Sequence, residues 1–93
     1  MSIDRLDSIT LHRRAATKLM GLSESERLAV EKTLLDLERL PIDKLPLVKL
    51  KAPSYPRLFS IRSGLSLRLL FVKKGNAINI LDIVHPSELP IAA

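Results

Sequence analysis

The feature that most constrains this sequence is a pair of helical segments separated by a turn of only two or three residues. The first is predicted over Arg13–Met20 and ends at Gly21, a residue suited to stopping a helix in the left-handed conformation. The second follows the capping box Ser23–Glu26, whose end residues bond each other's backbone N–H groups, and runs to about Arg39. Neither helix can bury its apolar side alone, so the two must fold back as a hairpin.

The second helix has a continuous stripe that predicts its buried side. Its members recur at helical spacing: Val30, Thr33, Leu34, Leu37 and Leu40. Charged residues such as Glu31, Lys32 and Asp36 lie on the other side. The stripe is therefore expected to pack against a sheet.

Prolines separate this helical half from a β-prone half. They exclude a helix or a central strand from the connection: Pro41, Pro46, Pro53 and Pro56. Beyond them, Arg57–Ser63 and Leu65–Lys73 alternate in polarity, with Leu65, Leu67, Leu69 and Phe71 on one side, and Ser63-Gly64 predicts a tight turn between the two segments. A turn at Lys74–Asn76 leads to a last strand over Ala77–His85.

These elements predict an α+β fold for residues 1–93 as one domain. An N-terminal edge strand at Ile9–Leu11 and the helical hairpin pack on a C-terminal three-stranded antiparallel meander, with a loosely held tail over Pro86–Ala93. The chain has no cysteine, which excludes disulfides and thiolate metal sites. Met1–Arg14 lacks the apolar segment of a signal peptide, and no apolar run is long enough to cross a membrane. We expect a soluble cytoplasmic protein with no cofactor and no metal.

Positive charge is confined to the second half of the chain. Residues 1–45 hold eight Lys/Arg and eight Asp/Glu, whereas residues 46–93 hold seven Lys/Arg and two Asp/Glu, so the whole net charge of +5 lies there. Such a field favours nucleic acid or an acidic protein as partner. A solvated basic surface without a dedicated partner is the alternative.

Alternation also predicts a pair of arginines on one face of the sheet. If Phe59, Ile61 and their counterparts face the helices, Arg62 and Arg68 point the other way and lie near each other across the Gly64 turn. Two guanidiniums side by side suit bidentate contact with a phosphate or carboxylate. The alternative is that each arginine forms a local salt bridge, for example with Asp82, and only keeps the face soluble.

The order of elements and several motifs resemble the RelE/ParE superfamily of type II toxin–antitoxin toxins. The similarity spans about residues 9–86, and its motifs are Lys49-Leu50-Lys51, Leu58-Phe59-Ser60-Ile61-Arg62-Ser63-Gly64, Leu67-Arg68-Leu69-Leu70-Phe71 and the apolar strand Ile80–His85. RelE-like members cleave mRNA in the ribosomal A site and leave a 2′,3′-cyclic phosphate. ParE-like members inhibit DNA gyrase without nuclease activity. Both are neutralised by a cognate antitoxin.

The resemblance implies roles for individual residues. Arg68 matches the arginine that stabilises the phosphate in the transition state, Arg62 matches a basic position that holds RNA, and His85 falls near a general acid or base of some members. Further RNA-binding positions are expected at Lys49, Lys51, Arg57, Lys73 and Lys74. The family's arginine after the last strand, and the tyrosine or histidine beyond it, have no counterpart in Pro86–Ala93, so enzymatic activity stays open.

Cleavage by an adjacent ribose hydroxyl needs a proton acceptor, a proton donor and positive charge at the phosphate. His85 is the single residue of the second half that titrates near neutrality. His12 is expected to cap the first helix, and Tyr55 to pack or to stack on a base. The favoured interpretation is a ribosome-dependent mRNA interferase. A gyrase-blocking toxin and a stand-alone nucleic-acid-binding domain are the alternatives.

Overall fold

Two helices and five strands make up the computed structural model, which describes residues 9–51, 53–55 and 57–85. In chain order these are β1 Ile9–Leu11, α1 Arg13–Met20, α2 Glu24–Arg39, a short 3-10 helix Ile42–Lys44, β2 Leu47–Lys49, β3 Leu58–Ser63, β4 Leu67–Lys74 and β5 Ala77–Val84. The predicted bounds of both helices are confirmed. The predicted tail beyond His85 lies outside the described residues.

The strands form one sheet in the order β1-β5-β4-β3-β2. β1 is an edge strand, as predicted, and it pairs in parallel with β5, whereas the other neighbours are antiparallel. The predicted three-stranded meander is confirmed as β3, β4 and β5, and β2 adds an edge strand inside the proline-rich connection that was not predicted. The prolines allow it since Pro46 precedes β2 and Pro53 follows it, so that neither removes a ladder hydrogen bond.

Both helices begin at the residues that the sequence indicates. The backbone N–H of Glu26 donates to the Ser23 hydroxyl at 3.3 Å and the Ser23 N–H donates to the Glu26 carboxylate at 3.3 Å, which completes the capping box. His12 caps α1 by accepting from the Arg14 N–H at 3.1 Å. Gly21 was wrongly predicted to be left-handed. Its φ is −92° because its N–H closes a tight last turn onto the Lys18 carbonyl at 3.0 Å, which needs no left-handed residue.

The core lies between the helices and one face of the sheet. From α2 the stripe residues Val30, Thr33 and Leu37 are buried, and Leu34 packs against them. Leu40 is exposed, contrary to prediction, because the chain turns to an extended conformation there and leaves the helical stripe. None of the helices in the described part of the chain is long and apolar enough to cross a membrane.

The β3–β4 turn is longer than predicted. It comprises Gly64–Ser66, and Gly64 has a φ of +68°, which suits a residue without a Cβ. Leu65 was expected on the buried side of a strand, but it lies in this turn and is 98% exposed. The remaining alternation of β4 is confirmed, since Leu67, Leu69 and Phe71 are all buried.

Candidate nucleic-acid interface

The arginine pair lies on the sheet face that does not contact the helical stripe. Arg62 of β3 and Arg68 of β4 are direct cross-strand partners, one step before the Ser63–Leu67 pair that leads into the turn. Partners in an antiparallel pair project their side chains from the same face, so the two guanidiniums lie side by side. We call the face that carries them the open face.

Arg68 is fixed in place by a serine on the neighbouring strand. Its Nε donates to the Ser60 hydroxyl at 2.9 Å, and Ser60 itself is fully buried. Partial burial, and then the charge of Arg62, lower the pKa of the Arg68 guanidinium from its ordinary value. The side chain still carries its charge at neutral pH because an arginine titrates so far above it. The bond through Nε leaves the terminal N–H donors of the guanidinium for an anion.

Asp82 does not neutralise the arginine pair. It lies on β5 and its carboxylate instead binds α1, through Lys18 at 3.0 Å and Arg14 at 3.8 Å. The alternative in which Asp82 pairs with Arg62 or Arg68 is therefore wrong. Within residues 9–85, as far as the structure describes them, no carboxylate forms an ion pair with either arginine. Among the described residues, the two like charges thus face each other without a counterion.

His85 lies at the same end of the sheet as the arginine pair. It directly follows Val84, the β5 partner of Arg68, and its Nδ1 is 3.0 Å from the Ser66 carbonyl. Since a carbonyl oxygen can only accept, this contact favours the tautomer that carries its proton on Nδ1. The side chain is exposed.

The remaining basic positions are spread over the molecule. Arg57, Lys73 and Lys74 cluster at the other end of the β3–β4 pair, where the Lys73 N–H donates to the Arg57 carbonyl at 3.3 Å and the Lys73 ammonium bonds the Gly75 carbonyl. Arg62 lies five positions after Arg57, a distance of about 17 Å along an extended strand. The structure therefore does not bring this cluster together with the arginine pair.

Lys49 lies on a different face from the arginines. Its cross-strand partner is Phe59, which stacks on Phe71 with ring centroids 5.7 Å apart in the core. By the alternation of an antiparallel pair, Lys49 stands on the helix side of the outermost strand. Lys51 follows just beyond β2, and both lysines are exposed. RNA would have to wrap around the β2 edge to reach them from the open face.

Sequence reasoning missed two features of the open face. One is Ser60, whose small polar side chain within an apolar strand was a usable signal, because it stands on the same side as Arg62. The other is a bulge in β5: Leu70 pairs with Asp82 but Phe71 pairs with Ile80, which leaves Leu81 as an extra residue. The apolar run around Leu81 has no alternation that could have indicated it. Among the described side chains, no group of three or more His, Asp or Glu residues could hold a metal ion.

Several solved structures resemble this one. A chain of the toxin–antitoxin complex RelBE2 from Mycobacterium tuberculosis has a TM-score of 0.69 and 25% identity, over 84% of this chain and 95% of that one. A chain of the archaeal RelE–RelB complex from Pyrococcus horikoshii has a TM-score of 0.66 and 20% identity, over 87% and 96%. For a chain of the RelB–RelE complex from Methanococcus jannaschii, the TM-score is 0.58 and the identity 19%, over 84% and 91%. Comparisons with protein-family models and with curated proteins give no match.

Proposed function

We propose that this chain, which has the fold of RelE toxins, is the toxin component of a type II toxin–antitoxin system and cleaves mRNA on the ribosome. The observation that carries the proposal is the Arg62–Arg68 pair. Two guanidiniums are held side by side on an open sheet face, and one of them is oriented by Ser60. A phosphate diester is the anion that such a pair suits best, because the fork of each guanidinium matches two phosphate oxygens.

In the proposed reaction a ribose 2′-oxygen attacks the adjacent phosphorus and the bond to the 5′-oxygen of the next nucleotide breaks. The products are a 2′,3′-cyclic phosphate and a 5′-hydroxyl, and one proton moves from the 2′-hydroxyl to the leaving oxygen. Arg68 and Arg62 stabilise the negative charge that grows on the phosphate oxygens. His85, the imidazole at this end of the sheet, transfers the proton.

The other basic residues bind the RNA strand in this proposal. Arg57, Lys73 and Lys74 contact phosphates about five residues of strand away from the arginine pair, and Lys49 with Lys51 contact the strand where it passes the β2 edge. Their contributions are electrostatic and sequence-independent, so each should be small and should fall with salt. The ribosome presents the mRNA to them.

The cognate antitoxin is proposed to cover the open face with acidic and apolar side chains. The structural neighbours from Mycobacterium tuberculosis, Pyrococcus horikoshii and Methanococcus jannaschii are themselves toxin–antitoxin complexes. The arginine pair, which no carboxylate of the described residues neutralises, and the excess charge of residues 46–93 give an acidic partner its complement. Co-expression with the product of the neighbouring gene should give a complex that survives moderate salt. Free expression without growth arrest and without a co-purifying partner would contradict the toxin assignment.

The decisive experiment for the activity uses purified translating ribosomes and a defined mRNA, with DNA gyrase supercoiling assayed in parallel. The proposal expects mRNA cleavage that needs translation and leaves cyclic phosphate ends, and it expects unchanged supercoiling. Inhibited supercoiling without cleavage would identify a gyrase-blocking toxin instead. Salt-sensitive binding to any nucleic acid, without either effect, would identify a binding domain.

A further inference from the structure

A pocket of about 230 Å³ opens on the same sheet face as the arginine pair. Its floor is apolar and is formed by Leu58, Leu70 and Leu81. Its rim is polar and comes from three separate parts of the chain: His12 and Arg14 at the start of α1, Tyr55 in the connection, and Asp82 on β5. An apolar floor with a few convergent polar groups is the usual construction of a ligand site.

The β5 bulge shapes this pocket. Because Leu81 is the extra residue between Ile80 and Asp82, two consecutive side chains, Leu81 and Asp82, both line the pocket while Ile80 stays fully buried in the core. A regular strand would send one of the two to the other face. Bulges commonly re-aim a side chain in this way beside functional sites.

Asp82 offers one of its carboxylate oxygens to the pocket. Oδ1 accepts from the Ile83 N–H at 2.8 Å and from Lys18 at 3.0 Å. Oδ2 has a longer contact, 3.8 Å, to the exposed guanidinium of Arg14. The side chain is only 14% exposed, so its position is well defined. An N–H donor entering the pocket can therefore bond Oδ2.

The pocket lies beside the arginine pair on the open face. Leu70 of the floor follows Arg68 by two residues on the same face, which is about 7 Å along the strand. Its cross-strand partner is Ser60, the residue that accepts the Arg68 hydrogen bond. Arg68 therefore extends toward the pocket, and a nucleotide whose phosphate contacts Arg68 can place its base there.

We propose that this pocket holds the base adjoining the phosphate bound by Arg62 and Arg68, and that it prefers a base with an exocyclic amino group. Adenine, cytosine and guanine each present an exocyclic N–H donor to Asp82. The one base N–H of uracil, at N3, lies between two carbonyl oxygens that a carboxylate repels. The leucines of the floor pack against one apolar face of the base. Tyr55, which is 47% exposed at the rim, stacks on the base. This inference rests on the proposed function for the phosphate site, and it assigns a base preference to it.

The test is titration of the full chain with the four ribonucleoside 3′-monophosphates and with inorganic phosphate, followed by backbone amide NMR. The three amino-bearing nucleotides should shift the amides of Leu70, Leu81 and Asp82 and bind about fivefold or more tightly than 3′-UMP. Inorganic phosphate should shift only the amides around Arg62 and Arg68.

Two matched pairs of variants identify the groups responsible. Asp82→Asn should abolish the preference over 3′-UMP. Lys18→Gln removes the shorter of the two ion pairs between Asp82 and α1 but keeps the carboxylate, so it should preserve the preference. Tyr55→Ala should weaken the binding of all four nucleotides about fivefold or more, because stacking on an aromatic ring is lost. Tyr55→Phe keeps the ring and should bind the nucleotides like the wild type.

The outcomes separate this inference from the proposed function. Equal binding of all four nucleotides, or unchanged discrimination in Asp82→Asn, would overturn the base preference while phosphate binding at the arginine pair still supported the proposed function. Nucleotide shifts at Leu70 and Leu81 with no phosphate shift at Arg62 and Arg68 would leave a base pocket but contradict the phosphate site. Shifts confined to the arginines would exclude the pocket.

Discussion

The two faces of the sheet are made from the same strands and serve different ends. On the helix side, Leu69, Phe71 and Ile80 are completely buried. On the open face, the alternate positions of the same strands carry Arg62 and Arg68, two like charges in direct opposition. Apolar burial drives folding, whereas opposed like charges work against it. This strand pair therefore stabilises the protein through one face and loses some stability on the other face, where the proposed function lies.

The largest effect should come from the helix side. Phe71→Ala removes a fully buried ring that stacks on Phe59, and it should lower the free energy of unfolding by about 3–5 kcal/mol. Its neighbour Leu70 lies on the open face, is only partly buried and is the matched control. Leu70→Ala should lower the free energy of unfolding by about 1–2 kcal/mol. Urea denaturation measures both. Equal losses would show that the open face also belongs to the core.

The next effect tests which side of α2 supports the sheet. Leu37→Ala should lower the free energy of unfolding by about 2–5 kcal/mol, since Leu37 is buried in the same core. Asp36→Ala removes only an exposed pair with Lys32, at 3.6 Å, and should lower it by about 0.5 kcal/mol or less. A similar loss for the two variants in chemical denaturation would mean that the helix faces the sheet with another side.

The two left-handed glycines give a smaller, paired effect. Both Gly64 and Gly75 have positive φ, at 68° and 60°, so an added Cβ strains each turn by about 1–2 kcal/mol. At Gly64 the Cβ would also lie 2.9 Å from the Cβ of Ala29 on α2, whereas at Gly75 it would meet open space. Gly64→Ala should therefore lower the melting temperature more than Gly75→Ala. The reverse order would contradict the close contact between this turn and the helix.

The smallest effect has the opposite sign. Arg62→Gln removes one of two opposed like charges and should raise the free energy of unfolding by about 0.2–1 kcal/mol at low salt. The gain should shrink as salt rises, because screening already weakens the repulsion. Arg39→Gln, which removes an exposed cation of the helical half, is the control and should give no comparable gain. A clear loss of stability in Arg62→Gln would indicate that the arginine pair is structural.

The sequence predicted most of what periodicity and capping determine. The capping box at Ser23–Glu26 indicated the start of α2. The alternation of β3 and β4 correctly predicted that Arg62 and Arg68 lie on one face of the sheet. Periodicity failed where an element was too short or uniformly apolar. β2 has only three residues, and the Ile80–Val84 run conceals the bulge at Leu81.

The details of the candidate site depended on tertiary contacts that no local pattern encodes. Asp82 could be assigned to some cation from its place in an apolar strand, but only the packing of α1 against β5 shows that Lys18 and Arg14 are its partners. The spread of the basic residues over both ends and both faces of the sheet likewise follows from register. The charge count alone assigned the excess charge to residues 46–93 without indicating which faces of the sheet carry it.

The proposed role of the arginine pair is RNA cleavage and not the stability of the fold. Its most direct test is the rate of mRNA cleavage on translating ribosomes by Arg68→Ala, with the free energy of unfolding measured on the same preparation. Arg39→Ala, which removes an exposed cation from the helical half, is the control. We expect Arg68→Ala to stay folded and to cleave about a hundredfold or more slowly, and we expect Arg39→Ala to cleave like the wild type. Wild-type cleavage by a folded Arg68→Ala protein would contradict it.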